Sequence, residues 1–191
     1  MDWAGQVLEH TVGVTLGEYM QEHIFTPLGM TSTGFWPGVP LEALERQVDW
    51  SYRQEDGSLI PGPSTLPSEP EMQSGGAGLF STARDYAVFL QAFLAGDVVS
   101  EHSMELMFTP QLNERQIEDL MAAAAVDPYG IAAEFPPNTQ LTWGLAGIMN
   151  IEDMPGKRAA NSTSWSGVAG SRWVSRSLHM KYFQVSPQQM C

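Results

Sequence analysis

Thr15-Leu16-Gly17-Glu18-Tyr19-Met20 runs on through His23-Ile24-Phe25-Thr26-Pro27-Leu28-Gly29-Met30 to Thr31-Ser32-Thr33-Gly34-Phe35, and it starts as a helix and stops abruptly. Thr15 stands where a hydroxyl caps a helix, and Glu18 stands three residues on, where a carboxylate reaches back to the cap. That capping box predicts a helix from residue 16 through Phe25. Pro27 cannot continue a helix ladder and Gly29 readily takes a left-handed turn, so a break and an irregular stretch to about residue 42 are expected. Upstream, Trp3, Val7 and Leu8 fall at helical spacing over residues 2–10, and Gly13 ends that helix.

Downstream, Trp50, Tyr52 and the turn Glu55-Asp56-Gly57 suggest a loose hairpin within 42–62. Prolines 61, 63, 67 and 70 then enforce an extended loop. The best helix of the chain follows Gly75-Gly76-Ala77-Gly78. Thr82 is its cap, with Asp85 at the third helical position. Tyr86, Phe89, Leu90, Phe93 and Leu94 form one apolar stripe, and Gly96 is the stop. Shorter helices are expected over about 100–108 and 113–125, and a loop where Pro128, Pro136 and Pro137 fall. Residues 141–151 read as one strand and 163–175 as a second, the latter interrupted by Ser166, Gly167, Ala169 and Gly170. Helices first and strands last argue for an α+β domain, a helical cluster packed on an antiparallel sheet. Two or three strands make a marginal sheet, so a larger one is expected.

The chain has 191 residues, which suits one domain with a substantial core. Its 22 acidic and 9 basic side chains give a net charge of -13. Such a chain repels phosphate backbones and anionic lipid, so neither nucleic acid nor membrane is an expected partner. The single cysteine, Cys191, can form no internal disulfide, and the four histidines lack ligand spacing, so no metal and no cofactor are expected. The opening MDWAGQVLEH has neither a basic nor an apolar leader region, and a cytoplasmic protein is expected.

Few segments carry chemistry. The acidic pairs Glu42/Glu45, Glu55/Asp56, Glu69/Glu71, Glu118/Asp119 and Glu152/Asp153 fall in turns and on polar faces. The glycines at 75, 76 and 78 lack a phosphate-loop ending and read as backbone needing positive φ or close approach. No G-x-S-x-G elbow and no S-x-x-K occur. The informative segment is Ser164-Trp165-Ser166-Gly167-Val168-Ala169-Gly170. Small residues in an apolar strand mark close approach of a ligand or another backbone, and free strand N–H groups can bind an acyl oxygen.

Three stretches carry a family resemblance. They are the run from Thr15 to Phe35 quoted above, Gly75-Gly76-Ala77-Gly78-Leu79-Phe80-Ser81-Thr82-Ala83-Arg84-Asp85-Tyr86, and Trp165-Ser166-Gly167-Val168-Ala169-Gly170-Ser171-Arg172-Trp173. Together, over about residues 2–174, the chain resembles the β-lactamase-related serine hydrolases. These comprise class C β-lactamases, serine carboxylesterases of that fold and fungal transesterases of statin and other polyketide pathways. The fungal branch is the nearest in appearance. The resemblance implies part of a β-lactamase/transpeptidase-like fold lacking its N-terminal strands, over residues 1–175, with 176–191 an atypical, disordered tail.

It also implies a chemistry. In this family a serine in S-x-x-K is acylated, a tyrosine helps move the proton, and a third motif (K-T-G, W-x-G or H-x-G) lines the far wall. Trp165, Ser166 and Gly167 resemble that third motif, and the Val168 N–H would donate to the oxyanion. A tryptophan in place of the lactamase lysine points away from β-lactams and toward a small-molecule ester or acyl substrate. The serine, lysine and tyrosine are absent from the chain and are expected upstream. Without them the expectation is a chain inactive alone, the C-terminal portion of an esterase or acyltransferase. The alternative is a non-catalytic binding module with a groove lined by Trp165, Phe80 and Leu79. Self-association through exposed core surface is expected in either case.

Overall fold

The structure, a computed structural model, describes residues 1–64, 67, 69–132, 134–166 and 172–175. It divides into two compact units, Met1–Val98 and Val99–Cys191.

The first unit begins with α1 (Asp2–Val12), closed by Gly13 at φ 76°, whose N–H donates to the Glu9 carbonyl. α2 (Leu16–Met20) carries the expected capping box in full. The Glu18 carboxylate accepts from the Thr15 N–H and hydroxyl, which holds its pKa below the usual value. The helix runs on through a π-helical turn, Gln21–Phe25, into α3 (Thr26–Leu28), closed by Gly29 at φ 68°. It therefore passes the Phe25 limit by one short turn that contains Pro27 and ends at Gly29. Then come β1 (Gly34–Phe35), α4 (Leu41–Leu44), the hairpin β2 (Ser51–Arg53) with β3 (Leu59–Pro61), β4 (Leu79–Phe80) and α5 (Ala83–Ala95). β1 pairs antiparallel with β4.

One carboxylate ties this unit together. Thr82 caps α5 as expected. The Asp85 carboxylate then accepts from the Ser32 N–H at 2.8 Å and the Thr33 hydroxyl at 2.9 Å. Thr33 Oγ1 also lies 2.8 Å from Ser81 Oγ. Asp85 and Thr33 are buried, so their mutual bonds replace solvent. This network fastens the end of the Thr15–Phe35 run to the start of α5, with Phe25, Met30, Phe35, Leu90 and Phe93 buried among the unit's side chains. The glycine run works by close approach. A Cβ on Gly75 would sit 2.6 Å from the Met1 carbonyl oxygen, and Gly78 has φ 82°.

The second unit contains α6 (Glu101–Met107), α7 (Glu114–Val126), α8 (Pro128–Ile131) and an antiparallel sheet ordered β5-β6-β7-β8. Its strands are β5 (Leu141–Trp143), β6 (Ile148–Asn150), β7 (Thr163–Ser166) and β8 (Arg172–Ser175). Each expected strand is thus two. Residues 141–151 fold back between Trp143 and Ile148, where the Gly144 N–H donates to the Gly147 carbonyl. Pro128 opens a short helix instead of a loop, because proline is favoured at a first helical position. α7 lays Leu120, Met121 and Ala124 on a core of Ala132, Phe135, Leu141 and Ile148, the helix-on-sheet layer expected of an α+β chain. Over β5, β6 and the first half of β7, residues on both faces of the sheet are buried. Thr142, Met149 and Thr163 pair across three strands at 0% exposure, and on the other face Leu141 and Ile148 stand at 2%.

Asp85→Ala should cost the first unit about 3 kcal/mol, the range for buried hydrogen bonds to a charged group. Urea unfolding followed by circular dichroism checks this, and a loss near zero would show that the network does not tie the two segments.

Candidate functional site

β7 presents the segment that the sequence singled out. Its register is fixed on both sides: Ile148 pairs with Ser164, Ser164 with Val174, and Trp165 with Trp173. Trp165 lies at the solvent-facing end of β7, 39% exposed. Its ring meets that of Trp143 edge to face, with centroids 5.8 Å apart. Such a contact orients a large apolar side chain without burying it. Ser166 ends the strand and pairs with Arg172. Gly167 and Val168, the remaining members of the candidate motif and the expected oxyanion donor, lie outside the described residues.

Behind Trp165 is a polar cluster that sequence reasoning missed. Ser164 Oγ donates to Glu134 Oε1 at 2.6 Å and accepts from Arg158 Nη1 at 3.2 Å. The Arg158 guanidinium also lies over the Phe135 ring, 4.4 Å from its centroid. Burial lowers the Arg158 pKa, and the nearby Glu134 charge raises it in part. The Glu134 Oε2 atom is buried without a hydrogen-bond partner among the described residues. A serine touching a carboxylate has the look of a nucleophile with its base. Yet Ser164 is 0% exposed, so no substrate carbonyl reaches it, and the cluster works inside the strand layer. The residues stand 30 and 6 positions from Ser164, which no local spacing rule would connect.

Close approach of the neighbouring strand constrains the same residue. A Cβ on Gly147 would sit 2.5 Å from the Ser164 carbonyl oxygen and 3.0 Å from Thr163 Oγ1. β6 therefore needs a glycine to lie beside β7.

Other features offer less chemistry. A groove of about 500 Å³ in the first unit is lined by residues including Glu18, Glu22, Phe35, Pro37 and Gln73. Its amide Gln73 is committed to the Gly17 N–H. A cavity of about 300 Å³ in the second unit is lined by apolar groups that include Met121, Phe135 and Leu141. Neither contains a serine, lysine or tyrosine. Burial raises the Tyr86 pKa, the wrong direction for a tyrosine serving as base. Leu79 and Phe80 form β4 in the first unit, where Leu79 is 37% exposed. Among the described residues no group of three or more His, Cys, Asp and Glu could hold a metal. No helix among them is long and apolar enough to cross a membrane.

The Beta-lactamase family model matches residues 1–173. The chain belongs to the Beta-lactamase family. It is 32% identical over 181 residues to the lovastatin esterase of Penicillium rubens, which spans 91% of this chain and 45% of that protein. It is 30% identical over 180 residues to the monacolin J acid methylbutanoyltransferase of Aspergillus terreus, across 91% of this chain and 44% of that one. Unliganded simvastatin synthase from Aspergillus terreus superposes with a TM-score of 0.82 at 29% identity, over 92% of this chain and 45% of that chain. A penicillin-binding protein homologue from Pyrococcus abyssi shares the fold, with a TM-score of 0.55. The β-lactamase/transpeptidase-like fold expected from the sequence is therefore the fold observed, and the fungal likeness holds. The chain spans about half the length of the curated relatives it matches.

Gly147→Ala should separate β6 from β7 and destabilise the second unit by about 2 kcal/mol or more, since the nearest atom the added carbon meets is the Ser164 backbone carbonyl oxygen. Hydrogen exchange at the Thr163 and Ser164 amides reads the effect. Protection equal to the parent's would show that β6 does not need to approach so closely.

Proposed function

We propose that this chain is the C-terminal part of a serine esterase or acyltransferase of the β-lactamase fold. The serine nucleophile, lysine and tyrosine belong to sequence outside these 191 residues. Residues Trp165, Ser166 and Gly167 form one wall of the acyl site, and the Val168 N–H donates to the oxyanion. The substrate is a small-molecule ester or other acyl compound, whose acyl group passes through serine to water or an alcohol. The observation that carries this reading is the family match over residues 1–173, with an esterase and acyltransferases as relatives at 30–32% identity. The half-exposed Trp165 supports it, being an apolar surface braced for a ligand at a strand end. An oxyanion donor of the kind assigned to Val168 is worth about 10²–10³ in rate. The chain's acidity disfavours polyanionic substrates and partners.

The test is to incubate the native gene product with a methylbutanoyl thioester and map any acyl adduct by peptide mass spectrometry. The expected adduct is on a serine of an S-x-x-K outside these 191 residues. An adduct within them would overturn the assignment of the nucleophile. No adduct at all would favour the binding module.

The same reading accounts for the apolar surface of α1, where Trp3 is 83% and Val7 63% exposed, one turn apart. The 191-residue chain alone should self-associate through that strip. Sedimentation velocity should show oligomers that Trp3→Ser with Val7→Ser converts to monomer. A monomeric parent would contradict this.

A further inference from the structure

We infer that Glu134 and Arg158, bridged by the Ser164 hydroxyl, are positioning residues for Trp165. This inference rests on the acyl-site reading above. Four observations converge on one residue of β7. The Ser164 hydroxyl donates to Glu134 Oε1 at 2.6 Å. It accepts from Arg158 Nη1 at 3.2 Å. Its carbonyl is approached so closely by Gly147 that a methyl group there would clash at 2.5 Å. Its backbone is paired on both sides, to Ile148 and to Val174. Ser164 therefore has no freedom to roll about the strand axis. The side chain of the next residue in a strand points to the opposite face, so fixing the roll at 164 fixes the direction of Trp165.

The bridge is built for that task. A hydroxyl that only needed satisfying would be served by a neighbouring carbonyl, as Ser162 is by the Ala159 carbonyl. Ser164 is instead held between two opposite charges, and bonds to ionised partners are shorter and stronger than neutral ones. Arg158 is itself oriented by the Phe135 ring beneath it. Trp165 then meets Trp143 edge to face at 5.8 Å, a contact that tolerates little rotation. A strand residue that lines an acyl site must hold its place as charge develops, so loss of the bridge should fall on kcat more than on KM.

The experiment compares the native gene product with its E134Q, R158K and S164A variants. It reads thermal unfolding, the circular-dichroism couplet of the Trp143–Trp165 pair (with W143F as the blank), and kcat and KM for a methylbutanoyl thioester. E134Q keeps volume and an acceptor but removes the charge. It should melt cooperatively, lose most of the couplet and lower kcat about tenfold with KM within about twofold. R158K keeps a cation but loses the planar stack on Phe135, so its couplet and kcat should fall between those of the parent and of E134Q. S164A should lose couplet and kcat together. A folded E134Q with couplet and kcat equal to the parent would overturn the inference, leaving the bridge a stabilising contact only. If E134Q does not fold, R158M takes its place with the same criteria. If the parent turns over no thioester while E134Q still loses the couplet, the acyl-site reading falls and the positioning of Trp165 stands.

Discussion

A serine hydroxyl sealed from solvent sets the terms for the second unit. Ser164 is fully buried in its strand, so its oxygen must find partners inside the protein. It finds a carboxylate and a guanidinium, two groups that are costly to bury singly and tolerable only when paired. Glu134 is the one charged residue in the apolar segment from Ile131 to Pro137, and Arg158 lies over the neighbouring Phe135 ring. The apolar layer of Ala132, Phe135, Leu141 and Ile148 closes around the same point. The first unit repeats the logic with one charge, where Asp85 gathers the Ser32 N–H and the Thr33 hydroxyl.

Each network lies beside a segment that carries the family match. Asp85 joins the Thr15–Phe35 run to the start of α5, and Ser164 directly precedes Trp165. The residues that make these segments recognisable are thus of two kinds. Some are structural by necessity, such as Gly75, where a Cβ would meet the Met1 carbonyl, and Gly78 with its positive φ. Others, Trp165 foremost, remain partly exposed, as the proposed ligand wall would require.

Much of the first unit was legible because its signals are local. The Thr15 and Glu18 capping box, the Thr82 cap, the Tyr86-to-Leu94 stripe and the Gly96 stop all act within one or two helical turns. β1 and β4 were not legible, since each has two residues and its partner lies about 45 positions away. The β5–β6 hairpin was read as one strand because three-residue strands are too short to show a period, and only the Gly144–Gly147 contact marks the fold-back. Of the candidate site, the resemblance singles out Trp165 and Ser166, and the structure shows the strand pairing of both and the ring contact of Trp165. The Glu134–Ser164–Arg158 bridge had no signal in the chain: its members are ordinary polar residues, and the β5–β6 hairpin lies between Glu134 and Arg158.

The proposed acyl site places an acyl oxygen against the end of β7. It is tested most directly by a crystal structure of the native gene product trapped with an alkyl phosphonate that mimics the tetrahedral intermediate. A phosphonyl oxygen is expected about 2.7–3.1 Å from the Val168 N–H, with the alkyl chain against Trp165. A phosphonate bound with its oxygen turned away from that N–H, or seated elsewhere on the protein, would contradict it.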